Sequence, residues 1–169
     1  MKSLLSHVVA AGLAAVTFSA VAAPLDTPPT PKQFNDVSAT MQSRICGELM
    51  TSLAMGGVQA LQMQFPGSKV PESQRKDVYE AGAQSVILLA MAGSLSIEDR
   101  LKAGEIAGVI EGMDPQVHVD TARFCQRRVV AWVKAGEVKK DIIVKAYAQS
   151  KELLDKEFDA GVSESESDD

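Results

Sequence analysis

DVSATMQSRICGELMTSLAMGGVQALQMQ, residues 36–64, decides the fold class. Val37, Met41, Ile45, Leu49 and Leu53 recur every four residues. That spacing lays an apolar stripe along one side of a helix, where a strand would alternate. Asp36 and Ser38 are both suited to cap its start, and Pro66-Gly67 ends it. Gly56-Gly57 predicts a bend or a restart, since paired glycine weakens a helix interior. Ala60, Leu61 and Met63 continue the apolar side past it.

The rest of the chain repeats this style. A second helix starts after Val70-Pro71, with Val78, Gly82, Val86 and Leu89 on its face, and Gly93 closes it. Val86 to Met91 is apolar all round, which predicts burial on every side. Ser96-Ile97-Glu98-Asp99 places a hydroxyl at a cap and a carboxylate three residues on, so a third helix follows to about Gly112. Asp114-Pro115 puts cap and first-turn residues in the right order for a fourth, which ends near Gly136. A fifth runs from about Val138 to Phe158. With only 5% aromatic residues, no strand pattern and no internal repeat, the expectation is all-α: a single-domain bundle of about five helices over residues 36–160.

The two ends read differently. Lys2 is followed by an apolar run from Leu4 to Val21 that closes on Ala20-Val21-Ala22, the pattern of a signal peptide over residues 1–22 with a mature start at Ala23. Pro24, Pro28, Pro29 and Pro31 predict an extended leader over 23–35. Residues 161–169 are polar and acidic and predict a disordered tail. The short, Ala-rich signal points to a periplasmic protein, full secretion being the other outcome. Beyond the signal, the best candidate for a span is Val86 to Met91, far below the ~20 residues a membrane span needs. Loss of Lys2 takes the formal charge from −5 to −6. No basic cluster of the kind that binds nucleic acid stands against it.

Export decides the chemistry of Cys46 and Cys125. In an oxidising compartment two cysteines pair, and their spacing is far from the CxxC of a thiol-exchange enzyme. The expected disulfide joins the first helix to the fourth. It closes a loop of about 80 residues, for which loop-closure entropy gives roughly 4 kcal/mol. Bonded, neither sulfur is a nucleophile or a metal ligand.

Little else carries chemistry. His118 is the one histidine after the signal. Asp114 stands four residues before it and Glu111 upstream, but Asp114 is needed as a cap and one imidazole makes a poor zinc site. No Gly-x-Ser-x-Gly and no phosphate loop is present. Met41, Met50, Met55, Met63, Met91 and Met113 suit core filling or an adaptable surface better than Cu(I), because they do not cluster. Gly104, Gly108 and Gly112 form a small-residue ridge that either packs within the bundle or presents a dimer or partner face. Arg123, Arg127, Arg128 and Lys134 make the fourth helix basic, as a solvated face or as a patch for an anionic partner.

The layout resembles in architecture small periplasmic helical proteins with one long-range disulfide, such as acid-stress chaperones and immunity proteins; no motif carries the likeness and no site residue is transferred. The expectation is an exported, non-catalytic binding protein that caps or inhibits another envelope protein, without cofactor or metal. Its partner face would draw on Gly104, Gly108, Gly112, Arg123 and Arg127, and a homodimer is an option. A periplasmic stress chaperone and a small-molecule or metal carrier are the alternatives.

Overall fold

A computed structural model describes residues 32–165. The signal peptide at 1–22, leader residues 23–31 and tail residues 166–169 lie outside the described residues. Six helices follow in order: α1 (Lys32–Asn35), α2 (Ala39–Gln64), α3 (Glu72–Ala92), α4 (Ile97–Glu111), α5 (Pro115–Ala135) and α6 (Lys140–Ser165). No strand occurs among the described residues. The five long helices and the disulfide are those the sequence leads one to expect.

Capping chemistry sets the boundaries. Ser38 Oγ accepts from the Met41 amide, Ser96 Oγ from the Asp99 amide, and an Asp114 carboxylate oxygen from the Gln116 amide. Each satisfies an amide that the first turn leaves unpaired. Ser96 also donates to the Asp99 carboxylate, which holds that cap in place. At the other ends, Gly93 (φ 61°) and Gly136 (φ 77°) adopt left-handed conformations that a side chain would resist.

Two boundaries differ from expectation. The leader's last residues are not extended: Lys32–Asn35 is a helical turn, and Phe34 is fully buried edge-on to Phe124. The prolines stop at Pro31, so nothing prevents a turn there, and burying one phenyl ring is worth about 2–3 kcal/mol. At the far end α6 runs on through residues 161–165, the first part of the segment expected to be disordered. Gly56-Gly57 likewise breaks nothing, since α2 is continuous through it. A Cβ at Gly57 would come within 2.8 Å of Val78 Cγ2, so the missing side chain lets α3 approach closely. That contact offsets the roughly 1 kcal/mol that glycine loses in a helix.

α2 and α3 form the central antiparallel pair. Gly47 of α2 lies against Leu89 of α3, and Gly57 against Val78, so the two chains run in opposite directions. Ser85 Oγ donates to the Gly47 carbonyl at 2.9 Å and shares a 2.7 Å bond with Thr51 Oγ1, which ties the pair with polar bonds inside an apolar seam. α6 packs antiparallel to α3: Gly82 faces Ser150 and Leu154, and Ser150 donates to the Tyr79 carbonyl at 2.8 Å. α4 and α5 pack on α2 from the other side. Ile45, Leu49, Leu61, Leu88 and Ile110 are buried where these elements meet. No described helix is long and apolar enough to cross a membrane.

Candidate functional site

Between α3 and α6 lies a groove of about 320 Å³. Its walls come from three helices: Ala54 and Met55 of α2, Val86 and Leu89 of α3, Leu153 and Leu154 of α6. Gly82 opens its floor, because a side chain there would run into Ser150 Oγ and Leu154. Thr51, Ser85 and Ser150 also line it, but their hydroxyls are engaged with backbone or with one another. Gln149, Lys156 and Glu157 complete its lining, and the Lys156 ammonium pairs with Glu152 at 3.1 Å. Leu153 keeps 51% of its surface exposed. The result is an open, apolar trough that can accept apolar groups and has little to polarise or protonate them.

A second feature lies in the same α3–α6 interface and is polar. Arg75 is buried, with Nε donating to the Val70 carbonyl at 2.9 Å and Nη1 to the Asp155 carboxylate at 2.9 Å. The Tyr79 hydroxyl donates to the same carboxylate oxygen, and Lys151 Nζ to the other at 2.8 Å. Lys151 also reaches Glu72 at 3.3 Å. Aromatic rings close the cluster: the Arg75 guanidinium lies 4.5 Å from the Phe158 ring centre and Lys151 Nζ 4.9 Å from that of Tyr79. The adjoining cleft is small, about 150 Å³.

The charges in this cluster set one another. Burial pushes the Asp155 carboxyl up, but the bonds from Lys151, Tyr79 and Arg75 outweigh it and hold the group below the ordinary carboxylate range. Burial disfavours the Arg75 charge, and the hydrogen bonds to Tyr79 and Asp155 reverse that, so its pKa is raised. Burial, then the bond to Asp155, pushes the Tyr79 phenol up. Lys151 is raised chiefly by its bond to Asp155. Arg75, Tyr79 and Lys151 thus converge on one carboxylate, a clamp between two helices. Sequence reading missed it because residues 75 and 155 are 80 positions apart. The one local trace was the i, i+4 spacing of Arg75 with Tyr79 and of Lys151 with Asp155.

The residues singled out from the sequence separate. Cys46 and Cys125 are bonded, with Cα atoms 5.4 Å apart and both side chains fully buried. Gly104, Gly108 and Gly112 are exposed, and a Cβ added at Gly104 or Gly108 meets nothing within 4 Å among the described residues. Packing of that ridge inside the bundle is therefore overturned. α4 turns its other side inward, burying Ala103, Ile106, Ala107 and Ile110. Arg123 and Arg127 sit on α5 instead, where Arg123 pairs with Asp120 at 3.3 Å. Arg128 is drawn into the structure: it donates to Gln42 and to the Ala39 carbonyl and lies over Trp132. Burial holds its pKa below the usual guanidinium value.

Asp114 serves as a cap rather than a ligand for His118. Among the described residues no three of His, Cys, Asp and Glu come together as a metal site. The methionines scatter as well: Met41 and Met50 are in the core, Met63 is 73% exposed, and Met55 alone of the six lines the groove. No protein-family model matches this chain, nor does any curated protein or solved structure.

Proposed function

We propose that the chain is an exported, non-catalytic binding module that holds an apolar segment of another envelope protein in the groove between α2, α3 and α6. The observation that carries this reading is the groove itself, an open trough of about 320 Å³ with Met55, Val86, Leu89 and Leu153 on its walls. An apolar trough between helices is how helical proteins take up a partner's amphipathic helix or loop. Met55 suits such a surface, because an unbranched thioether adapts to different shapes. Lys156 and Glu157, also in the lining, offer charges that can orient an incoming segment. Export rests on the reading of residues 1–22 as a signal peptide, and the short, Ala-rich form of that signal favours the periplasm over full secretion.

Photo-crosslinking tests this directly. A photoreactive residue at position 153 should trap a protein in an envelope extract of the host, whereas the same probe at the exposed Lys139 should trap nothing comparable. Leu153→Asp should abolish retention of the trapped protein by the immobilised module. Equal crosslinking at both positions, or retention unaffected by Leu153→Asp, would overturn the reading. The trough also falls within the roughly 300–1,000 Å³ range of small-ligand sites, so it favours an apolar small molecule as the second reading. Native mass spectrometry of protein from its own host separates the two, since a carrier arrives with a bound mass of a few hundred daltons.

A further inference from the structure

Helix α4 is apolar on two opposite sides. Ala103, Ile106, Ala107 and Ile110 face the body and are buried. Outward, Ile97 is 70% and Leu101 66% exposed, and Gly104, Gly108 and Gly112 continue that same stripe at intervals of three and four. Two ordinary reasons for these glycines fail. None of the three has a left-handed backbone. Among the described residues, no neighbouring element comes close enough to exclude a side chain at Gly104 or Gly108. Exposed mid-helix glycine costs about 1 kcal/mol relative to alanine. A stripe of large apolar residues running into such glycines fits a backbone that arrives from outside and comes close.

The charges beside the stripe identify that backbone. Measured from the line through Gly104 and Gly108 at about 100° per residue, Glu111 and Arg100 stand roughly 40° and 60° to one side. Glu105 stands roughly 80° to the other side, at the solvent edge. Arg100 and Glu111 make no ion pair among the described residues. If two copies of α4 cross antiparallel about a two-fold axis midway between Gly104 and Gly108, Gly104 of one copy lies over Gly108 of the other. The same operation keeps like flanks together and sets Arg100 of each copy beside Glu111 of the other. A parallel pairing would instead bring opposite flanks together, setting Arg100 of each copy toward Glu105 of the other and leaving Glu111 far from Arg100. The stripe is thus self-complementary, as a two-fold interface requires, and the antiparallel pairing is the one that joins Arg100 to Glu111.

We propose that the outer face of α4 is a self-association surface, on which a second copy of this chain docks antiparallel through Ile97, Leu101, Gly104 and Gly108. The pairing is independent of the groove, which no residue of α4 lines.

Sedimentation velocity on the full-length processed protein with its disulfide intact, over a series of concentrations, tests this. The expected result is a monomer–dimer equilibrium. Gly108→Leu should weaken it at least tenfold while the helical circular dichroism and monomer unfolding stay unchanged, because no described residue lies within 4 Å of a Cβ at Gly108. Arg100→Glu should also weaken it, and adding Glu111→Arg to that variant should restore it. A protein that stays monomeric throughout would overturn the proposal. So would a dimer indifferent to Gly108→Leu, or a double charge reversal that fails to recover the loss. Each of these results leaves crosslinking at Leu153 as it was, so the groove and the α4 face stand or fall separately.

Discussion

The α2–α3 pair carries a neighbour on each flank, and the two flanks are held by different means. α6 is seated by side-chain chemistry: the Asp155 clamp, the bond from Ser150 to the Tyr79 carbonyl, and Tyr79 edge-on to Phe158 with ring centres 6.3 Å apart. α5 is seated by a covalent bond, Cys46–Cys125, with Arg128 reaching back to Gln42 beside it. Glycines mark the same contrast. At Gly82, under α6, an added methyl group meets Ser150 and Leu154; at Gly104, on α4, it meets nothing within 4 Å among the described residues. Where packing is dense, glycine makes room inside the chain. On α4, glycine faces outward, with no neighbour within 4 Å of an added Cβ at Gly104 or Gly108 among the described residues.

Removing the disulfide should have the largest effect. Cys46→Ala with Cys125→Ala is expected to cost about 4 kcal/mol, from the freedom an 80-residue loop regains in the unfolded chain. Denaturant unfolding measures it, and hydrogen exchange should show α5 losing protection before α6. If α6 frays first, the contrast between the flanks is wrong.

Asp155→Ala comes next, at about 3 kcal/mol, because it leaves the buried Arg75 charge without its partner. The clamp also fixes a pH dependence. Asp155 ionises more readily folded than unfolded, so its contribution is complete above the ordinary carboxylate pKa of about 4 and is lost as pH falls through and below it. Arg75, Tyr79 and Lys151 are all raised, so their contributions are lost only in alkali. The stability advantage of the wild type over Asp155→Asn should therefore be flat from about pH 5 to pH 9 and shrink in more acid solution. An advantage that grows in acid would show that the carboxylate is not held in its charged form.

Gly82→Ala should cost about 2 kcal/mol, by displacing Ser150 from the Tyr79 carbonyl and crowding Leu154. Gly104→Ala should do the reverse and stabilise the monomer by up to about 1 kcal/mol, measured at protein concentrations too low for pairing. Equal signs for the two substitutions would erase the distinction between the flanks.

Much of the fold could be read before any coordinates. Ser38, Ser96 and Asp114 cap where their chemistry says they should, Gly93 and Gly136 close helices, and Cys46 finds Cys125. These signals are local or, for the cysteines, have a single solution. Phe34 was hidden by the four prolines before it, whose extended preference does not reach past Pro31. The direction of the glycine ridge was illegible for another reason. α4 is apolar on both sides, so periodicity gives a helix without an inside, and only the placement of α2 decides that Ala103 and Ala107 face inward. Site residues fared worst. Groove and clamp each join residues from helices far apart in sequence, and no spacing along the chain announces that Met55, Val86 and Leu153 share a trough.

Intact mass spectrometry of the protein taken from its host's envelope, alkylated with and without prior reduction, bears most directly on the whole account. The predicted species begins at Ala23, takes up no alkylating agent as isolated, and takes up two after reduction. A chain still carrying Met1, or one whose Cys46 and Cys125 react without reductant, would contradict it.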